Sequence, residues 1–283
     1  MIKPSGLGAS SFLLSCNRWL QTFGFDWSRF FATLKGLRRY WLGYRQLKEL
    51  NSRSREFWKI RPSYPCMEDF YGPGGVASGH YFHQDLYVAQ RIFAKAPVKH
   101  VDIGSRIDGF VAHVASFREI EVMDLRPVSS RVPNIVFHRF DLLNVSANYL
   151  EFCDSLSCLH VLEHIGLGRY GDRIALNGYS LALENLVKIL KPGGTLYLSA
   201  PFGSQAVEYN AHRIFHLNTL QELIEKHFSI VEFSMVDDAG ELKTSADLRQ
   251  VAESSTDYRY ALAIFELEKG KRVPGPTLSV RCR

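Results

Sequence analysis

The chain of 283 residues, 46% hydrophobic and 22% charged, is long enough for one large α/β domain with an appendage and too apolar to be disordered throughout. Its five cysteines, odd in number and without a C-x-x-C pair, argue against a disulfide framework and a thiolate zinc site and fit a reducing, cytoplasmic compartment. The net charge of +5 is uneven: residues 1–62 hold 12 Lys/Arg against 3 Asp/Glu, leaving 22 against 26 in the remainder, and the basic part has no dense block or motif of a nucleic-acid binder.

In chain order, the apolar runs "SSFLLSC" and "RFFATL" fall far short of the roughly 20 residues that cross a bilayer. The first also lacks a cleavage-site pattern, so neither secretion nor a spanning helix is expected. Asp26 is a natural N-cap for a helix whose apolar positions are Trp27, Phe30, Phe31, Leu34, Leu37, Trp41, Tyr44 and Leu47. Arg29, Lys35, Arg38, Arg39 and Arg45 are expected largely off that stripe, and Gly36 and Gly43 each weaken the helix by about 1 kcal/mol. Two readings stay open for residues 26–50. They pack on the chain's own larger domain or on a second copy in a homodimer, or they lie on an anionic membrane surface, which would put the protein peripherally on an inner membrane face. Residues 51–75, rich in turn formers, read as a linker or a wrapping segment.

After Gly79 the pattern turns regular. Helices are expected over 80–96, 108–117, 180–190 and 218–227, and strands over 99–104, 119–124, 134–141, 153–160, 194–201, 228–236 and 259–269. Seven strands alternating mostly with helices predict an α/β, doubly wound, mainly parallel sheet. The organisation expected is therefore a basic amphipathic helical extension and linker over 1–75, a catalytic-sized domain over 76–270 and a tail over 271–283.

Ligands of such sheets bind at the carboxyl ends of the strands, where strand order reverses. The first turn, "DIGSRIDG" (102–109), has Gly104 for a sharp bend and Gly109 for close approach of the next helix to the sheet, but it is not G-x-G-x-x-G, which argues against NAD or FAD. Asp124 ends the next strand, 20 positions after Gly104, where a carboxylate can accept from both hydroxyls of a ribose, and Asp141 follows the third. "HVLEH" (160–164) has the spacing of an inverted zinc-hydrolase motif. Placed where a strand turns into a helix, His160 and His164 do not share a helical face, and no metal site is expected.

On these residues the chain resembles the class I S-adenosylmethionine-dependent methyltransferases across roughly 79–269. The resemblance is carried by Asp102-Ile103-Gly104, Asp124, Asp141, "VLEH" (161–164), "LKPGG" (190–194) and "HRIFHLNTLQELI" (212–224), in the family's order. The pattern looks most like a poorly characterised bacterial-type branch met beside polysaccharide-building enzymes, such as those of O-antigen assembly. The resemblance implies a Rossmann-like fold and S-adenosylmethionine as cofactor, held by Asp102, Gly104, Ser105, Arg106, Gly109, Asp124, Leu125, Asp141, Leu142 and His160, with His80 and Tyr81 closing over it. The chain departs from the family in having only two glycines in the first turn.

Methyl transfer to oxygen needs an aligned acceptor and a base near neutrality. His164 and His212 are the candidate bases, with Glu163 as orienting carboxylate; His83, Glu208, Asn210 and Arg213 are candidate acceptor contacts, and 166–180 a lid. His216, four residues past His212, would pair with it on a helix. The acceptor implied is a sugar hydroxyl of a surface glycan or its precursor. The alternative is a non-catalytic, cofactor-binding scaffold of a glycan-building complex.

Overall fold

The computed structural model describes residues 9–129 and 131–270, with side chains from Cys16 onward; the tail over 271–283 lies outside the described residues. The chain forms two compact units, Met1–Val76 and Ala77–Arg283.

The first unit holds α1 (Ala9–Thr22) and α2 (Trp27–Ser52). Asp26 caps α2, its carboxylate accepting from the backbone N–H of Ser28 at 2.8 Å and of Arg29 at 3.1 Å. The helix continues through Gly36 and Gly43, and Gly36 explains itself: a Cβ there would strike the Met67 carbonyl. Residues 58–71 fold back along this face and wrap the helix. Asn51 bonds both backbone groups of Trp58, the Tyr40 hydroxyl donates to the Pro62 carbonyl at 3.1 Å, and the Thr33 hydroxyl donates to Glu68 at 3.0 Å. The basic residues do not separate from the aromatic stripe as expected. Phe31, Arg38 and Arg45, spaced seven apart, share the side of α2 opposite the wrapping segment. Among the described residues no helix is long and apolar enough to cross a membrane.

In the second unit, α3 (His80–Lys95) buries Val88, Ala89 and Ile92. The strands are β1 (His100–Ile103), β2 (Ile120–Asp124), β3 (Ile135–Arg139), β4 (Cys153–Leu159), β5 (Leu190–Phe202), β6 (Ala206–Glu208), β7 (His212–Ile214), β8 (Phe228–Val236), β9 (Leu242–Lys243) and β10 (Ala261–Lys269). The sheet order is β3-β2-β1-β4-β5-β10-β8-β9. The first five strands are parallel, and β10 runs antiparallel to both β5 and β8. All seven expected strands are present. Two differences arise: β9 adds an eighth strand at the edge, and β6 and β7 form a separate hairpin. That hairpin holds His212 on a strand, while His216 caps the following helix, so the two do not form a helical pair. Strands of three residues leave no alternation long enough to read.

The expected helix over 108–117 is a π turn, Ile107–Val111, running into the short α4 (Ala112–Ala115). Helices α5 (Gly178–Ile189), α6 (Leu217–Glu225) and α7 (Leu248–Glu253) follow. α3 and the π turn pack Val88, Ile92 and Phe110 against Val122, Tyr197 and Ile264. Leu183, Leu186, Leu217 and Leu220 join the other core, with Leu156, Leu198 and Phe265. A sheet covered on both faces has strands buried on both sides, hence the near-continuous apolar runs in β4, β5 and β10.

Candidate active site

Strand order reverses between β1 and β4, and a cavity of about 370 Å³ lies there, at the carboxyl ends of β1, β2 and β4. Of the residues singled out from sequence, Tyr81, Gly104, Arg106, Asp124, Leu125, Asp141, Leu142, His160 and His164 line it.

Asp102 and Ser105 form the wall behind the cavity instead. The fully buried Asp102 carboxylate accepts from the Ser105 backbone N–H at 3.0 Å, the Ser105 hydroxyl at 2.7 Å and the Ser157 hydroxyl at 2.5 Å. This pins the turn in which Gly104 has φ +73°, and any Cβ there would press on the Val161 methyls. Gly109 likewise does not face the cavity. Its missing Cβ makes room for the Asp85 carboxylate of α3, so the close approach is to α3 rather than of the next helix to the sheet. Asp124 lines the cavity, but Arg126 occupies it. Oδ1 accepts from the Arg126 backbone N–H at 2.8 Å and Nε at 3.1 Å, and Oδ2 from the guanidinium at 2.8 Å. Asp141 is freer, its carboxylate accepting, among the described residues, from the Leu143 N–H at 2.9 Å alone.

The "HVLEH" segment follows β4 as a turn, and no helix begins until α5, so the expected strand-to-helix passage is a strand-to-turn passage. His160 has φ +55° there, an uncommon conformation for a non-glycine residue, held by its backbone N–H donating to the Ser199 hydroxyl at 2.9 Å. Its Nδ1 lies 2.6 Å from Glu163 Oε1, and because a carboxylate only accepts, that nitrogen carries a proton. Its Nε2 meets His80 Nδ1 at 3.0 Å. His80 thus sits behind His160, stacked between it and Tyr260, not on the cavity wall. Burial, then the neighbouring His160, pushes the His80 imidazole down to about 4.

Glu163 is fully buried behind the cavity, and its Oε2 has no hydrogen-bond partner among the described residues. Burial pulls its carboxyl upward, but the His160 charge and hydrogen bond and the His164 charge outweigh that and hold it below the usual range. His164 Nδ1 lies 2.6 Å from the Ala211 carbonyl and must donate to it, which leaves Nε2 as the basic nitrogen, 3.7 Å from Glu163 Oε1. Burial lowers the His164 pKa and favours this neutral ring. A cavity-lining imidazole with a free basic nitrogen beside a buried carboxylate can take a proton and have the resulting charge stabilised.

Five further sequence candidates, besides Asp102, Ser105, Gly109, His80 and Glu163, stand away from the cavity wall. His212 packs its ring on Tyr260 and edge-on to His164. Glu208 and Asn210 are exposed on the hairpin. His83 faces inward, its Nε2 buried and without a hydrogen-bond partner among the described residues. Arg213 is buried, both terminal nitrogens of its guanidinium donating to the carbonyls of Glu163, Ile165, Ala175 and Leu176, so it staples the 163–178 loop instead of facing the cavity. Sequence reasoning missed Arg126, Arg169 and Tyr170, which line the cavity. Tyr170 sits under the Arg126 guanidinium at 4.3 Å, and Arg169 donates to the Ala211 carbonyl at 3.0 Å. The 166–180 loop, expected from sequence to cover the acceptor side, borders the cavity through Arg169, Tyr170 and Asp172, and which of its side chains turn inward is not readable from the sequence.

Two histidines buried as neutral rings make the fold acid-sensitive. His100, bonded to the Ser155 and Ser157 hydroxyls, is pushed by burial down to about 3, and His80 to about 4. Their folded pKa values lie below the unfolded one, so their contribution is full above pH 6.5 and is lost as pH falls. Asp102, pushed by burial up to about 6, has the opposite sign and gains as pH falls through that value. From pH 6 to 4 the lowered histidines, His164 and His212 among them, outnumber the raised Asp102 and Asp85. The unfolding free energy is therefore expected to drop as pH falls through this range. Urea titrations at stepped pH check this, and a flat profile would refute it.

No curated protein matches the chain. Among solved structures, the [4+2]-cyclase SpnF superposes with a TM-score of 0.50 at 15% identity, covering 71% of this chain and 90% of that one. This supports the fold and, at that identity, the fold alone. The N-methyltransferase NodS from Bradyrhizobium japonicum WM9, in complex with S-adenosylhomocysteine, matches at TM-score 0.47 and 15% identity over 68% of this chain and 88% of that one. A Burkholderia thailandensis 1,6-didemethyltoxoflavin-N1-methyltransferase, also with S-adenosylhomocysteine, matches at 0.46 and 14% over 66% and 79%. A protein family matches residues 112–265, more than half of the chain. Its description names Caenorhabditis and an unknown function, and mentions neither the bacterial branch nor the polysaccharide link expected from the sequence. With its parallel sheet, its reversal at β1 and β4 and this match, the chain belongs to the family described as Caenorhabditis protein of unknown function, DUF268.

Proposed function

We propose that this protein transfers a methyl group from S-adenosylmethionine to an oxygen of a polar acceptor, with a sugar hydroxyl of a glycan or its precursor as the favoured acceptor. The observation that carries this reading is the convergence of Gly104, Asp124, Asp141 and His164, from four successive strand ends, on one cavity at the point where strand order reverses. The residues fit the cofactor. Gly104 gives a side-chain-free turn, Asp124 and Asp141 offer acceptors to a ribose and an adenine edge, and Leu125, Phe140 and Leu142 give an apolar wall for a base.

When bound, S-adenosylmethionine supplies an electrophilic methyl carbon. The protein's part is positioning and proton handling. His164 Nε2 accepts the acceptor's proton as its oxygen becomes nucleophilic, Ala211 fixes the ring through Nδ1, and Glu163 stabilises the imidazolium. Arg126 must release Asp124 for that carboxylate to take the ribose hydroxyls.

Calorimetric titration of S-adenosylhomocysteine tests the reading. Binding is expected in the wild type and weaker in Asp124→Ala by about a hundredfold, the effect of losing two hydrogen bonds to a charged group. An absence of wild-type binding, or an Asp124→Ala variant that binds as well, would remove it.

A further inference from the structure

We propose that the outward face of α2 is a docking surface for an anionic lipid bilayer, onto which its aromatic residues insert at headgroup depth. The helix has two unlike sides. Arg29, Thr33, Gly36, Tyr40 and Asn51 meet the chain's own residues 58–71. The opposite side meets none of the chain's residues 58–71 and carries exposed aromatic rings. There Phe25, Trp27, Phe30 and Phe31 form one cluster of touching rings, with centroids between 4.6 and 6.1 Å apart. They remain open to solvent: Trp27 is 45% exposed, Phe31 60%, and Trp41 further along is 45%. A patch of this kind is costly in water and marks a contact surface.

Charge identifies the occupant. From Trp27 to Lys48 the helix carries no acidic residue. Several of its cations are engaged with the wrapping segment: Arg29 pairs with Glu68, Lys35 lies over the Tyr71 ring and Arg39 over Phe70. Arg38 and Arg45, on the aromatic side, make no ion pair among the described residues. Aromatic rings at one end of a helix and unpaired guanidinium groups along the same side match a bilayer interface, where rings settle among headgroups and long basic side chains reach lipid phosphates. A protein partner of the same shape would have to supply carboxylates opposite Arg38 and Arg45. A second copy would bring two more cations to the same place, which disfavours a self-pairing of this face.

The test uses the full chain and sedimentation with vesicles of phosphatidylcholine alone or mixed with phosphatidylglycerol. Binding is expected on the mixed vesicles, weak binding on neutral ones, and loss at high salt. Arg38→Gln with Arg45→Gln should weaken binding to mixed vesicles roughly thirtyfold. Trp27→Ser with Phe31→Ser should abolish it while leaving the far-ultraviolet circular dichroism unchanged. No sedimentation with mixed vesicles would overturn the proposal, as would binding indifferent to both double variants. A wild-type dimer that the aromatic variant turns into a monomer, without vesicle binding, would assign the face to a second copy and overturn it as well. None of these outcomes depends on S-adenosylhomocysteine binding.

Discussion

Replacing Glu163 by alanine is expected to lower the unfolding free energy by about 3–5 kcal/mol, from a buried donor left unpaired together with the cavity the side chain leaves. The side chain is fully buried, bonded to His160 at 2.6 Å and near His164 at 3.7 Å, so its loss strands one protonated nitrogen and opens a void. Glu163→Gln separates the two contributions. Its amide oxygen can still accept from His160, while its NH2 falls where Oε2 has no partner among the described residues, so a loss of about 1–3 kcal/mol is expected. Urea unfolding near pH 7.5 measures both. An alanine variant within about 1 kcal/mol of wild type would show that the pair does not hold the turn.

Arg213→Met should cost about 2 kcal/mol and loosen the 163–178 loop. The carbonyls of Ile165 and Leu176 lose the guanidinium that reaches them, while those of Glu163 and Ala175 keep backbone donors, the N–H groups of Arg213 and Gly178. The loop they belong to carries Tyr170 and Arg169 to the cavity, so limited proteolysis should cut faster within 166–176 in the variant. Arg213→Lys is expected to recover only part of the loss, because one ammonium cannot span the fork that the guanidinium spans. Unchanged proteolysis in Arg213→Met would mean that the loop is held by its own turn. Within that turn, Asp172 accepts from the N–H groups of Gly166, Gly168 and Tyr170.

The elements that sequence made legible were those whose pattern is local. The seven main strands are buried on both faces or end in a turn with glycine or aspartate, and those signals depend on neighbours a few residues away. The cap at Asp26 and the length of α2 were legible for the same reason, even across Gly36, although the reason for that glycine lies 31 positions later in Met67. Gly104, Asp124, Asp141 and His164 were placed by the rule that strand ends meet at the reversal of strand order, which needs only the order of elements.

What sequence could not assign was the direction of a side chain once two elements far apart had met. Arg213 looked like a contact for an anionic or hydroxylic acceptor, yet its buried guanidinium serves carbonyls 37 to 50 positions away. Asp102 looked like a ligand and became a wall because Ser157 of β4 reaches it. Arg126 and Tyr170 were unremarkable letters until the lid brought them together over Asp124. The strands, the mainly parallel sheet and the edge where chemistry can occur are readable from the chain before folding, because hydrophobic periodicity and turn chemistry are properties of short stretches. The tertiary structure alone decided which polar groups spend their hydrogen bonds on the protein and which keep them for a ligand, because that depends on partners that only folding brings within 3 Å.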